Sequence, residues 1–142
     1  MRPKYQIAIA GTGIAGLSAA LFLERQGHDV VLYDQFENPK PIGSGLVLQP
    51  TGYSVLAALG LDGEINKYGN KIVSLNGTIS RNQRKVLDAS YNTYSPKRAG
   101  FAIQRTALFD VLYQAVLKTS VRFEPSTIIA NTTQKSLSLI HI

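Results

Sequence analysis

The chain opens on a short apolar run, residues 4–10 (KYQIAIA), that stops at glycine; it is too short for a helix and bounded like a buried parallel strand. Ile14, Leu17, Leu21 and Phe22 then recur at helical spacing, with small Ala15, Ser18, Ala19 and Ala20 between them, until Gly27 supplies a C-terminal stop. This pattern predicts a helix packed on a sheet. Residues 29–34 (DVVLYD) are largely β-branched and apolar and end on an acid, completing a strand-helix-strand unit whose two strands should run parallel.

Beyond that unit the rhythm changes. Pro39 and Pro41 break any regular element, and Gly43-Ser44-Gly45 opens a segment, 46–49, expected to run extended. Tyr53, Leu56, Ala57 and Leu59 predict a helix over 51–58 with Gly60 as its stop. After a polar stretch, residues 71–75 and 85–89 read as strands, with Asn76-Gly77 as a hairpin-turn dipeptide, so a small antiparallel β insertion is expected over about 70–98. Residues 100–103 read as a further strand. Leu108, Val111, Leu112, Ala115 and Val116 mark one face of a helix over 105–118, and 121–124 return as a strand. The expected fold class is α/β: a Rossmann-like dinucleotide-binding domain over 1–134, its parallel sheet carrying the antiparallel insertion and truncated before completion. Residues 135–142 (KSLSLIHI) bring apolar side chains with no turn or cap. Residues 137–142 also match one reading frame of a common transposon-derived sequencing adaptor, so the tail is expected to be non-native.

Composition narrows the function classes. At 142 residues, 44% hydrophobic and mean hydropathy near zero, the chain reads as one globular domain. It has no apolar run long enough to span a bilayer and no secretory h-region, so a cytoplasmic location is expected. Zero cysteines exclude disulfides, thiolate metal sites and cysteine nucleophiles, and any redox chemistry must come from a cofactor. The net charge of +6 gathers in the middle, where Lys67, Lys71, Arg81, Arg84, Lys85, Lys97, Arg98 and Arg105 are interrupted only by Asp88. No nucleic-acid motif accompanies this basic stretch, and Tyr91 and Tyr94 lack the flanking pattern of an RNA-binding sheet, so no nucleic-acid partner is expected. His28 and His141 read as solvated side chains, and neither a metal site nor a hydrolase triad is visible.

The chemistry resides in Gly11-Thr12-Gly13-Ile14-Ala15-Gly16, which matches GxGxxG. At a strand-to-helix turn, Gly11 permits the tight bend, Gly13 lets a pyrophosphate approach the backbone, and Gly16 lets helix and strand pack closely. The free N–H groups of the helix start favour an anion there. Asp34 falls eighteen residues after Gly16, at the end of the second strand, where a carboxylate can accept hydrogen bonds from an adenosine ribose and repel a 2′-phosphate. FAD and NAD share the ADP half, and this unit alone does not separate them.

Three segments do more: GTGIAGLSAALFLERQGHDVVLYDQ, GSGLVLQPTGYSVLAALGL, and QRTALFDVLYQAV with its arginine at a strand-to-helix junction. Together they span about residues 5–117, and in combination the chain resembles the FAD-dependent aromatic-ring monooxygenases, the family of para-hydroxybenzoate, salicylate and ubiquinone-pathway hydroxylases. The resemblance implies that Gly11, Gly13, Ile14, Ala15, Gly16, Asp34 and Gln35 hold the ADP half of FAD. Ser44, Gly45 and Leu46 would lie near the flavin ring, and Arg105 would reach the pyrophosphate, with Gln104 a weaker candidate. It also implies NADH or NADPH as electron donor, oxygen as co-substrate and an aromatic small molecule as substrate. The family's Asp-Gly and Gly-Asp cofactor motifs and its substrate sheet are absent, so no catalytic side chain is named and the chain by itself is expected to be inactive. Two other readings stand beside this one. One is a different FAD oxidoreductase, amine-oxidase-like, or an NAD-linked dehydrogenase; the other is a non-catalytic module whose basic middle meets an acidic partner.

Overall fold

The computed structural model describes residues 3–41, 43–91 and 99–133. Residues 135–142, which include His141, and Tyr94, Lys97 and Arg98 therefore lie outside the described residues.

Strand β1 (Gln6–Ala10), helix α1 (Ile14–Arg25) and strand β2 (Asp29–Tyr33) form the expected unit, β1 pairing parallel with β2 from Gln6 opposite Asp29 to Ala10 opposite Tyr33. Strand β8 (Arg122–Glu124) adds parallel to the other side of β2, giving the order β1-β2-β8. Val30, Val31 and Leu32 are accordingly buried on both faces of the central strand. β1 departs from the buried strand its composition suggests. Among the described residues it is an edge strand, with Ile7 and Ile9 half-buried and Gln6, Ala8 and Ala10 exposed.

A second sheet is antiparallel: β3 (Gly45–Leu48) and β4 (Asn70–Ile72) flank β7 (Gly100–Gln104). Helix α2 (Pro50–Ala58) carries proline in its first turn, where the missing N–H removes no helical bond. Helix α3 (Asp62–Tyr68) occupies what reads in the sequence as a polar stretch. Only Ile65 of its seven residues is buried, so it offers no periodicity to detect. Helix α4 (Arg105–Val116) packs against α1. Leu17, Leu21, Leu108, Leu112 and Val116 meet Val30 and Leu32 of β2 in one core, which Leu56, Leu59, Ile65 and Ile103 extend to the second sheet.

The insertion differs from the pattern reading in two ways. The single strand expected over 71–75 is two strands: β4 pairs with β7, while β5 (Ser74–Thr78) pairs with β6 (Lys85–Ser90) as a separate two-stranded sheet. Asn76-Gly77 lies inside β5, not at the turn. The turn falls across Ile79–Arg84, closed by the Ile79 N–H on the Arg84 carbonyl at 2.9 Å, with Gln83 at φ 56°. A β-carbon on Gly77 would lie 3.2 Å from that of Leu87, beside a register shift at Gly77/Thr78, so this glycine serves a close cross-strand approach at an irregularity.

Candidate functional site

The phosphate-type loop forms as its glycines require. β1 ends at Ala10, and Gly11 takes φ +97°, in the left-handed region, while its N–H bonds to the Tyr33 carbonyl at 2.7 Å. A β-carbon on Gly16 would stand 2.0 Å from the Gly11 carbonyl oxygen, so glycine there is what lets α1 start against the turn. Gly13 is different. Its φ of −68° is ordinary and a β-carbon would meet nothing within 4 Å, so the fold itself does not require glycine there. The absent side chain leaves room directly over the start of α1. No side chain among the described residues caps that helix, and its first internal bond is from the Leu17 N–H to the Gly13 carbonyl. The N–H groups of Ile14, Ala15 and Gly16 are left for an anion from outside.

Asp34 follows β2 and is tied to the loop. Its Oδ2 accepts from the Thr12 N–H at 2.8 Å and from the Thr12 hydroxyl, and its Oδ1 accepts from the Phe36 N–H at 3.0 Å. Burial works against the charged form. The hydrogen bonds from the Thr12 side chain and from the Phe36 and Thr12 backbones outweigh it, and the carboxyl is held below the ordinary aspartate value of 3.8.

Arg105 begins α4 and reaches the same place. It lines a cleft of about 180 Å³ with Thr12, Gly13, Ile14 and Asp34, and its guanidinium approaches Gly43, where a β-carbon would come within 3.3 Å of it. Two segments more than sixty residues apart thus place a fixed cation and the free N–H groups of a helix around one small space. On the other side of the loop, a cleft of about 280 Å³ is bounded by Gly11, Gly13, Asp34, Gln35 and the segment 127–129. That last segment carries no motif and is missed by sequence reasoning. Its Thr127 N–H bonds to the Asp34 carbonyl at 2.8 Å, and Ile128 and Ile129 stand exposed beside the loop. Only the pairing of β8 with β2 brings it there. Thr12 likewise carries no signal in the sequence, because nothing in GxGxxG assigns a task to its second position.

Ser44, Gly45 and Leu46 do not join these clefts. Ser44 is exposed, while Gly45 and Leu46 border a cleft of about 340 Å³ on the antiparallel sheet, shared with Tyr68, Asn70 and Gln104. The predicted residues therefore form two groups, one at the α1 start and one on β3. A larger cleft of about 720 Å³, where Tyr53 stacks on Phe101 at 4.5 Å, contains none of them. His28 accepts the Tyr5 N–H at 3.3 Å and packs on the Tyr5 ring, a structural role. Among the described residues no group of His, Cys, Asp and Glu could hold a metal ion, and no helix is long and apolar enough to cross a membrane.

Comparison with known proteins agrees with this geometry. Residues 4–137 match the family model described as FAD binding domain. The chain is 44% identical over 69 residues to the FAD-dependent monooxygenase opaC of Aspergillus ustus, covering 49% of this chain and 15% of that protein. It is 46% identical over 59 residues to 3-hydroxybenzoate 6-hydroxylase 1 of Aquipseudomonas alcaligenes, covering 42% of this chain and 15% of that one. Among solved structures, PqsL of Pseudomonas aeruginosa in complex with 2-aminobenzoylacetate shares the fold at a TM-score of 0.78 and 22% identity, over 93% of this chain and 35% of that one. The chain thus spans under two thirds of each of these proteins. With the family model matched along nearly its whole length, the chain belongs to the FAD binding domain family, which it shares with FAD-dependent monooxygenases and hydroxylases.

Proposed function

We propose that the chain is the FAD-binding part of a flavin-dependent monooxygenase that hydroxylates an aromatic or similarly hydrophobic small molecule with NADH or NADPH and oxygen. The observation that carries the reading is the convergence of Arg105 with Gly13, Ile14 and Asp34 on one small cleft. That donor set fits a pyrophosphate: open space over Gly13, uncapped N–H groups behind it, and a guanidinium opposite. Asp34 would take the adenosine ribose, with Gln35 and the 127–129 segment walling that half. Gly45 and Leu46, on the separate β3 cleft, would lie toward the flavin end, with Ser44 preceding them.

When bound, FAD supplies the redox chemistry and oxygen activation. The residues of this chain bind and orient it; none is assigned a proton-transfer step. The names of the relatives support an aromatic substrate, as in 3-hydroxybenzoate 6-hydroxylase 1. Because the chain spans 15% of that relative, turnover is assigned to a longer protein, and the chain alone should not oxidise NADH with a phenol faster than free flavin does.

The test is visible absorption of the purified chain titrated with FAD, beside Gly13→Asp, which places both a side chain and a negative charge in the open space. A flavin spectrum that shifts on binding to the wild type and not to the variant is expected. No shift with either protein sinks the reading.

A further inference from the structure

We infer that Thr12 is a positioning residue for the cofactor, fixing the Asp34 carboxylate and the phosphate loop to one another so that ribose and pyrophosphate are recognised by a single rigid unit. The inference rests on the FAD reading above and deepens it.

Thr12 is 2% exposed and Asp34 9%, the two buried polar residues of the described chain. A carboxylate offers about four acceptor positions, two on each oxygen. The Thr12 N–H and hydroxyl occupy both on Oδ2, and the Phe36 N–H occupies one on Oδ1. One position on Oδ1 remains, so Asp34 can accept a single ribose hydroxyl and not the pair that an unencumbered carboxylate would take. Thr12 lies between Gly11 and Gly13, and a displacement of the loop therefore displaces Asp34 as well. A threonine that merely filled the core would need no hydroxyl at this place. The isosteric Thr12→Val replacement separates the two roles, since it keeps the shape, removes one of two donors on Oδ2 and leaves the backbone N–H in place.

The experiment is FAD titration by flavin fluorescence across about pH 3 to 8, a range that reaches below the ordinary aspartate value, on the wild-type chain, Thr12→Val, Thr12→Ser, Asp34→Asn and the Thr12→Val/Asp34→Asn double variant, each with a thermal melt. Thr12→Val is expected to weaken binding about tenfold at neutral pH and Thr12→Ser by less than about threefold. Protonation removes the acceptor, so affinity falls with pH through the Asp34 titration; without the hydroxyl that fall begins at higher pH. In the Asp34→Asn background, Thr12→Val should add less than about a factor of two, because the hydroxyl acts through the carboxylate. Should Thr12→Val not fold, Thr12→Ala carries the same comparisons. Wild-type-like affinity and pH profile in the folded variant, or an undiminished loss in the Asp34→Asn background, overturns the inference while leaving FAD binding intact. A wild-type chain that binds no FAD overturns the FAD reading and the inference together.

Discussion

A methyl group at Gly16 and one at Gly13 would have opposite consequences, although both residues belong to one six-residue motif. At Gly16 the added carbon collides with backbone, 2.0 Å from the Gly11 oxygen, and neither partner can rotate away. Gly16→Ala should therefore lower stability by about 1–3 kcal/mol, seen as a reduced melting temperature, and weaken FAD binding as a consequence. Gly13→Ala meets nothing within 4 Å and should melt within a few degrees of the wild type, while its FAD affinity falls because the space is needed by the ligand. Equal thermal losses in the two variants would show that Gly13 has a structural task after all. The glycines and Asp34 were legible because their spacing is a local property of a turn and the strand after it. The Thr12–Asp34 bond was not, because it joins residues 22 apart whose meeting depends on the pairing of β1 with β2.

At the scale of elements, α1 and α4 were readable from periodicity, since each lays a continuous apolar stripe on the sheet. Helix α3 and the division of 70–78 into two strands were not. α3 is held through one buried side chain, and Val73 marks a change of partner that depends on which neighbour each half finds. The end of α2 is likewise finished from elsewhere. Arg25, in the last turn of α1, donates to the carbonyls of Ala58 at 3.0 Å and of Leu59, satisfying acceptors that a terminating helix leaves open. Arg25→Ala should cost about 1 kcal/mol, read as a lower urea midpoint at unchanged slope. An unchanged midpoint would mean that water replaces the guanidinium at no cost.

For the whole molecule, burial is uneven. β2 is enclosed between β1 and β8 and beneath the α1–α4 layer, whereas β6 is exposed along its length, with Val86 at 59% and Leu87 at 46%. A two-stranded ribbon with little apolar cover is only marginally stable by itself. Amide hydrogen exchange should then be slowest at Val30, Val31 and Leu32 and faster by orders of magnitude across β5 and β6. Uniform protection across both would contradict this distribution. At the same scale, three basic residues from the middle of the sequence are engaged within the chain: Lys67 pairs with Glu64 and Lys85 with Asp88, while Arg105 turns to the cleft at the α1 start.

What the sequence determined by itself was whatever short-range spacing encodes: the strand-helix-strand unit, the tight turn with its three glycines, the acid at the second strand's end, and the apolar faces of α1 and α4. These follow from backbone geometry repeating every two or 3.6 residues, which a linear pattern records directly. Only the tertiary structure decided which distant segments share a space. It brought Arg105 to Gly13, set 127–129 beside Asp34, placed Gly45 and Leu46 on a cleft of their own, and joined Thr12 to Asp34. Those encounters depend on strand order and on the packing of α4 against α1, which residue spacing along the chain does not specify.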